Sequence, residues 1–297
     1  MHYSELDEIK YIPIGESTDM SQKQTNWGIA FGLQEVDHLS PSEYMVALAK
    51  ENIEGKKSYD QVEQEVHSYY EQQDPSDINS DEREADEVSI RIVKLLNDNS
   101  FTFSPLTLKQ YHRALFHGID LGISGKYIGE FRDVNISKME PVLNGASVVY
   151  ADFRMIMETL QYDFSEEAGQ RYTKMNSEEQ IERVATFASR IWQVHPFREG
   201  NTRTTAVFIQ KYLNSKGFHV NNDMFKQYSL YFRNALVRAN FSDIKNGIES
   251  EDTYLISFFQ NLLLGAENAL DNELLYIGSD PSEGEEEIEL PGFEQSM

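Results

Sequence analysis

Residues 195–203, HPFREGNTR, form a polar segment between two runs whose apolar residues recur at helical spacing. The upstream run, residues 177–194, opens with a capping box and predicts one buried helix. Pro196 has no N–H group and disfavours helical backbone at the residue before it, so the chain has to turn there. The downstream run, residues 206–213, predicts a second helix that ends by Gly217. The polar segment is therefore predicted to be a loop that leads into the start of a buried helix.

The chemistry of this loop suits a phosphate. The first N–H groups of a helix lack intrahelical partners and lie at the positive end of the helix dipole, which attracts anions. Gly200 lets a ligand oxygen approach the backbone closely, and Arg203 can hold phosphate oxygens through two parallel hydrogen bonds. Glu199 has the wrong sign for a phosphate unless a divalent cation such as Mg²⁺ lies between them. His195, with an ordinary pKa of about 6.5, can serve as general base for a hydroxyl. Together these residues predict transfer of a phosphorus-containing group onto a hydroxyl.

The segment also resembles the motif of the Fic family, H-x-F-x-(D/E)-(A/G)-N-(G/K)-R, and the resemblance extends over about residues 101–264. It implies a mainly α fold, a Fic-type helical bundle with one β-hairpin flap over the active site. It also implies a protein adenylyltransferase, which transfers AMP from ATP to a Tyr, Thr or Ser hydroxyl of a target protein or of itself. By this resemblance His195 is catalytic and Glu199 holds Mg²⁺. The implied nucleotide-binding residues are Phe197, Gly200, Asn201, Thr202 and Arg203.

Two positions depart from the family pattern. Thr202 stands where the pattern has Gly or Lys, and Ala206 stands where many members carry a second arginine. Both changes affect the phosphate site, so the nucleotide donor stays open. One alternative is a Fic enzyme that uses another donor, such as UTP, or that removes AMP. A second alternative, from another class, is a catalytically silent module that senses a nucleotide or binds a peptide.

Residues 41–80 resemble the small antitoxin module that accompanies many Fic enzymes, with a helix, a turn, a second helix and a linker. In that module the motif (S/T)-x-x-x-E-(G/N) places an inhibitory glutamate in the nucleotide site. Glu54, followed by Gly55, matches the end of this motif and is therefore a candidate regulatory residue. Lys50 occupies the Ser/Thr position, so the alternative is an ordinary helical hairpin with Glu54 in solvent near a helix end.

A β-hairpin is predicted over residues 138–150. An Asn-Gly pair at 144–145 separates two short apolar runs, which is the strongest local signal for a tight hairpin. Pro141 cannot donate to a ladder, so its strand should lie at an edge. In Fic proteins the matching ribbon is a flap that binds an extended target segment by strand addition. We therefore expect Val142 and Leu143 to dock the target beside the catalytic histidine, the alternative being a surface hairpin without a role.

Composition limits the partners. The chain of 297 residues has 50 acidic and 26 basic side chains and a net charge of -24. Such a surface repels nucleic-acid backbones and anionic membranes, so neither is an expected partner. The protein substrate is what the resemblance to the Fic family implies. The chain has no cysteine, which excludes disulfides, thiolate metal sites and thiol catalysis.

No secretory signal or bilayer-spanning run is recognisable, so a cytoplasmic location is expected. The sequence leaves the oligomeric state and the target protein open.

The chain divides into four predicted units. Residues 1–40 form an N-terminal arm, extended to about residue 25, and residues 41–80 form the antitoxin-like module and linker. Residues 81–266 form the Fic domain, and residues 267–297 form an acidic C-terminal tail.

Overall fold

The computed structural model describes residues 19–218, 220 and 223–278, and the structural statements below concern these residues. The fold is mainly helical, as predicted, with eleven α-helices. None of the described helices has both the length and the apolar character needed to cross a bilayer. The helices are α1 (Met20–Gly32), α2 (Glu43–Ile53), α3 (Tyr59–Glu71), α4 (Ser80–Asn97), α5 (Pro105–Phe116), α6 (Ile156–Ala168), α7 (Ser177–Val194), α8 (Asn201–Ser215), α9 (Asp223–Gln227), α10 (Ser229–Ala239) and α11 (Thr253–Leu264).

Helix α8 is the centre of the bundle. Every residue from 201 to 213 is buried, and α8 packs against α4, α5 and α7. A helix that is buried all round has no solvent-facing stripe, and its polar side chains must find partners inside the protein. The candidate site residues at the start of α8 are thus held by a helix that is buried on every side.

The predicted helix, loop and helix around the motif are confirmed. Helix α7 begins after Asn176, whose side chain forms a capping box with Glu179, one residue before the predicted position. It ends at Val194 because His195 adopts the left-handed conformation, with φ of 47°. Helix α8 starts directly after Gly200, so the loop between the helices is as short as the sequence implied.

The prediction of an extended arm up to about residue 25 is wrong for residues 20–25, which belong to α1, and residues 1–18 of that arm lie outside the described residues. The side chain of Asp19 caps this helix, which packs against α4 and α9. A side chain at Gly32 would collide with the carbonyl of Phe225, so the close approach of α1 and α9 requires glycine. The buried face of α1 includes Lys23 and Asn26, which explains why the sequence shows no apolar period there.

The two helices predicted over residues 41–80 are present as α2 and α3, capped by Ser42 and Ser58. A buried carboxylate joins them to the rest of the protein. Asp86 of α4 accepts hydrogen bonds from the backbone N–H and hydroxyl of Ser42, at 2.8 and 2.6 Å, and from the hydroxyl of Tyr70 at 2.7 Å. The antitoxin-like segment is therefore fastened to α4 at the start of α2 and near the end of α3.

The predicted β-hairpin is wrong, since no strand occurs in the described part of the chain. The 138–150 segment instead contains a 3₁₀ turn at Pro141–Leu143, and the Glu140 N–H donates to the carbonyl of Ala146 at 3.0 Å. Val142 and Leu143 are only 1% exposed, so they anchor the segment and do not present a docking edge. A lone two-stranded ribbon is marginal by itself, and the apolar residues gain more by entering the helical core.

The start of the predicted C-terminal tail packs on the domain. Leu275 is fully buried, and the N–H of Ile277 donates to the carbonyl of Val142 at 2.9 Å. Residues 267–278 therefore hold the 138–150 segment from outside. The acidic run of residues 283–289 lies outside the described residues.

Candidate active site

The motif loop is closed by its own side chains. The amide of Asn201 accepts a hydrogen bond from the N–H of Phe197 and donates one to its carbonyl, both at 2.9 Å. The Phe197 ring is buried and stacks on the imidazole of His112, with 4.0 Å between ring centroids. These two predicted nucleotide-binding residues thus use their side chains to fix the loop, which leaves the backbone of the helix start for a ligand.

Gly200 is required for two independent reasons. Its φ of 72° lies in the left-handed region that favours glycine. An added Cβ would also lie 2.5 Å from the ring of Phe116. Its N–H donates to a carboxylate oxygen of Glu199 at 3.0 Å, and its carbonyl accepts the N–H of Thr204, which begins α8.

His195 presents a neutral imidazole to the site. Its Nδ1 lies 3.3 Å from the carbonyl of Trp192, and because a carbonyl only accepts, Nδ1 carries the proton. Burial, followed by the charge of Lys138, lowers the pKa of His195 to about 3. The ring stacks on Tyr150 with centroids 4.0 Å apart. Nε2 therefore holds a lone pair, as a general base requires.

The cleft around this imidazole is narrower than the sequence suggested. His195 is 5% exposed, and the cleft beside it is too narrow to admit a water molecule. Small-molecule sites usually measure roughly 300–1,000 Å³, so a nucleotide requires the cleft to widen. The lining residues are Asp37, Lys138, Glu140, Trp192, His195, Glu199, Asn201, Thr202 and Arg233.

Protein carboxylates surround Arg203, the predicted phosphate ligand. Its Nη2 donates to Glu84 at 2.6 Å, and its Nη1 donates to the side chain of Gln34 at 3.1 Å. Its Nε lies 2.9 Å from Asp37 Oδ2, in a charge contact that lacks hydrogen-bond alignment. The guanidinium is 1% exposed and lies over the ring of Phe116. Phosphates can contact the guanidinium of Arg203 only when the carboxylates of Asp37 and Glu84 move away from it.

Glu54, the predicted regulatory residue, does not face the cleft. It follows the last residue of α2, is exposed, and binds Lys56 at 2.5 Å. The segment that packs on the start of the site is the 3₁₀ turn Leu33–Asp37, which follows α1 and contacts α8. The prediction that Glu54 enters the site is wrong, and Asp37 and Glu84 are the acidic residues at Arg203. Glu54 was predicted from a short motif. The position of the Leu33–Asp37 turn depends instead on how α1 packs, which no local motif describes.

The carboxylate of Glu199 faces the cleft, whereas the hydroxyl of Thr202 is used in a hydrogen bond within the protein. The half-buried carboxylate of Glu199 lies at the mouth of the cleft, 3.7 Å from Lys138 Nζ. Among the described residues there is no group of three or more His, Asp or Glu side chains arranged to bind a metal. Glu199 fits the role of a single carboxylate ligand to Mg²⁺, an ion that takes its other ligands from water and phosphates. The Thr202 hydroxyl accepts from the indole N–H of Trp192 at 3.0 Å, so it joins α7 to α8.

Arg132 is a site residue that sequence reasoning missed. Its Nε donates to the carbonyl of His195 at 2.8 Å, its Nη2 donates to the carbonyl of Val194 at 3.2 Å, and its backbone N–H donates to the carbonyl of Pro196 at 2.8 Å. These bonds hold the left-handed turn at His195. No local pattern marks an arginine for this role, because its partners are backbone groups more than 60 residues away.

His112 was also missed, although the sequence carries a signal for it. It lies on the buried face of α5, where a histidine needs partners. Its Nδ1 accepts the N–H of Gly129 at 2.8 Å, so its Nε2 carries the proton and donates to the carbonyl of Glu199 at 3.0 Å. Burial lowers the pKa of His112 to about 4. The neutral ring of His112 therefore holds the backbone of the motif loop at Glu199.

Residues 102–213 match the model of the Fic/DOC family. This segment, which contains the motif loop, is therefore a Fic/DOC-family domain. The solved structures include a similar one, the N-terminal FIC domain of Bep8 protein, a VirB-translocated Bartonella effector protein, from Bartonella sp. 1-1C. The identity is 19%, the TM-score is 0.46, and the match covers 64% of this chain and 88% of that one. No curated protein matches the chain.

Proposed function

We propose that this Fic-family protein is a protein adenylyltransferase, which transfers AMP from ATP to a Tyr, Thr or Ser hydroxyl of a target protein or of itself. The observation that carries the proposal is the neutral His195, whose Nδ1–H is tied to Trp192 and whose Nε2 is free to accept a proton. This imidazole lines the same cleft as the start of α8. The proposed base and the proposed anion site therefore line the same cleft.

In the proposed reaction, Nε2 of His195 takes the proton of the target hydroxyl while the hydroxyl oxygen forms a bond to the α-phosphorus of ATP. The bond from this phosphorus to the bridging oxygen of the β-phosphate breaks, and pyrophosphate leaves. The N–H groups at the start of α8 offset the negative charge on the phosphates. Arg203 holds the outer phosphates once Asp37 and Glu84 release it. When bound, Mg²⁺ neutralises phosphate charge, and Glu199 is the residue that would hold it.

The target is proposed to dock on the exposed side of the 138–150 segment. Met139 is 81% exposed and Val149 is 80% exposed, although both are apolar. The backbone bond from Glu140 to Ala146 closes the turn between them, and Tyr150 stacks on His195. A target chain that covers these two side chains is therefore adjacent to the base. They replace Val142 and Leu143, which are buried.

A second candidate is a nucleotide-sensing module without turnover. The departures from the family pattern at Thr202 and Ala206 favour it, since the Thr202 hydroxyl is bonded to Trp192 and Ala206 has no charge to offer a terminal phosphate. Such a module would bind ATP without transferring any part of it.

Labelled nucleotides separate the two candidates. The purified protein, with Mg²⁺, is incubated with ATP labelled at the α-phosphate or at the γ-phosphate. Adenylyl transfer predicts that protein acquires the α label and not the γ label. His195→Ala should reduce this labelling by about 10²–10⁴-fold, the usual loss when a general base is removed. His67→Ala is the matched control, because His67 is exposed on α3 and pairs only with Glu71. Equal labelling by the His195→Ala variant would refute the proposal, and ATP binding without labelling of any protein would establish the sensor.

A further inference from the structure

Lys138 lies outside the motif but faces the same cleft as His195. Its Nζ is 3.7 Å from a carboxylate oxygen of Glu199 and 3.9 Å from one of Asp37. We propose that Lys138 binds the phosphates of the nucleotide, as a second cation beside Arg203. This inference rests on the proposed function, and it names a residue that no part of the motif identifies.

The cleft needs such a cation because its lining is acidic. Three carboxylates, those of Asp37, Glu140 and Glu199, face the space that a triphosphate must enter. Ala206, which replaces the second arginine of the family pattern, is buried in α8 and has no charge to offer. A polyanion that enters this cleft with Arg203 alone would meet more negative than positive charge.

The other cations near the motif already have close partners. Arg233 lines the cleft, but it forms a buried ion pair with Glu140 at 2.6 Å. Arg132 donates to backbone carbonyls, among them that of the catalytic histidine. Arg198 binds Asp133 and stacks on the ring of Tyr127. Recruiting Arg233 or Arg132 would leave a buried partner without its bond, which is costly. Recruiting Arg198 would break its ion pair with Asp133.

The ammonium of Lys138 has weaker contacts than the guanidinium groups of these arginines. Both of its carboxylate contacts are longer than a hydrogen bond, and its side chain is 38% exposed. Its backbone is fixed, since its N–H donates to the hydroxyl of Ser147 at 3.0 Å. A lysine ammonium is a compact charge on a flexible stem of four carbons. The ammonium can therefore leave Glu199 and Asp37 for a phosphate oxygen while the main chain stays in place.

The position of Lys138 also suits the reaction. Lys138 and His195 line the same cleft, and, after burial, the charge of Lys138 contributes to the lowered pKa of the imidazole. A phosphate bound between the two side chains would lie next to the atom that accepts the proton. Lys138, whose Nζ is 3.7 Å from the Glu199 carboxylate just before α8, thus extends the phosphate site beyond the motif.

Equilibrium binding tests this assignment without turnover. In a His195→Ala background, calorimetry compares ATP with adenosine, which lacks phosphates, for Lys138→Met and for a matched control, Lys174→Met. Lys174 is an exposed lysine outside the cleft lining. The affinity for ATP should fall about tenfold to a hundredfold in Lys138→Met, as expected for the loss of a charged hydrogen bond, while adenosine binding stays the same. Lys138→Arg should keep most of the ATP affinity because it keeps the charge.

Two results would overturn the assignment. Unchanged ATP affinity in Lys138→Met would show that the ammonium does not contact the phosphates. An equal loss for ATP and adenosine would show that Lys138 only maintains the shape of the cleft. If the His195→Ala parent bound no nucleotide and the wild type labelled no protein, the proposed function itself would fail, and this inference with it. ATP binding by the parent distinguishes the first two results from the third.

Discussion

The two sides of the cleft are built differently. The motif wall, residues 195–203, is fixed by hydrogen bonds of 2.8–3.0 Å from Asn201, Arg132 and His112. The charged wall consists of Asp37, Glu84 and Lys138, which come from the turn after α1, from α4 and from the 138–150 segment. Its side chains are partly exposed and interact through charge. The motif wall is rigid and the charged wall can rearrange.

This difference assigns separate tasks to the two walls. The proposed reaction needs a base and an anion site held in one geometry, and the rigid motif wall is suited to that task. Entry of a nucleotide needs the cleft to widen. In the charged wall, the contacts of Lys138 with Asp37 and Glu199, at 3.9 and 3.7 Å, are the ones most easily exchanged. The following predictions test this division, from the largest expected effect to the smallest.

The rigidity of the motif wall should depend on a neutral His112. Its pKa of about 4 in the folded protein lies below the ordinary value of about 6.5. The unfolded chain therefore binds more protons between these values, so the stabilisation is complete above pH 6.5 and is lost as the pH falls towards 4. The loss should reach about 3 kcal/mol in the free energy of unfolding. Denaturant unfolding between pH 7 and pH 4 should show a shallower pH dependence for His112→Gln than for the wild type.

The exposed His67 supplies the control for this experiment, because His67→Gln should keep the wild-type pH dependence. Equal slopes for the wild type and His112→Gln would contradict the role given to His112 and would weaken the contrast between the walls.

Neutralising the charged wall should open the site. The double variant Asp37→Asn and Glu84→Gln keeps oxygen acceptors near Arg203 but removes both negative charges. Nucleotide affinity and self-labelling should rise about tenfold, since phosphates then compete with neutral groups for the guanidinium. Glu54→Gln is the matched control and should change neither quantity, because Glu54 is exposed and pairs with Lys56.

The melting temperature of the double variant should be measured beside its labelling. A fall in labelling by a protein that remains folded would mean that the two carboxylates support the active conformation and do not restrict it.

The smallest effect is expected at the target surface. Replacing Met139 and Val149 by serine should reduce labelling of proteins in a lysate about fivefold, through the loss of apolar contact area. ATP binding by the same variant should be unchanged. Ile244→Ser controls for the loss of an exposed apolar side chain elsewhere, as Ile244 is 91% exposed and lies outside the cleft lining. A similar reduction from Ile244→Ser would remove the argument for the 138–150 segment as the docking surface.

The sequence predicted the motif wall because its signals are local. Pro196 ends one helix, Gly200 permits the turn into the next, and the apolar spacing on both sides shows which faces are buried. The mainly helical fold followed from the same spacing. The family pattern added the expected chemistry of His195 and Glu199, whose roles stay predictions until labelling is measured.

The charged wall could not be predicted, since it depends on contacts between distant segments. Asp37 lies 166 positions before Arg203 in the sequence and reaches it only because α1 packs on α4 and α9. The 138–150 segment has the turn residues of a hairpin, but burial of Val142 and Leu143 outweighs strand pairing. The cytoplasmic location and the exclusion of nucleic-acid partners rest on composition and stay predictions.

A crystal structure with Mg²⁺ and a non-hydrolysable ATP analogue tests the central claim most directly. The account predicts that the phosphates lie at the start of α8, contacting the backbone near Gly200, with the α-phosphate next to Nε2 of His195. It also predicts that Arg203 exchanges Asp37 and Glu84 for phosphate oxygens. A nucleotide bound elsewhere on the protein, or one that leaves His195 enclosed and Arg203 with its carboxylates, would contradict the account.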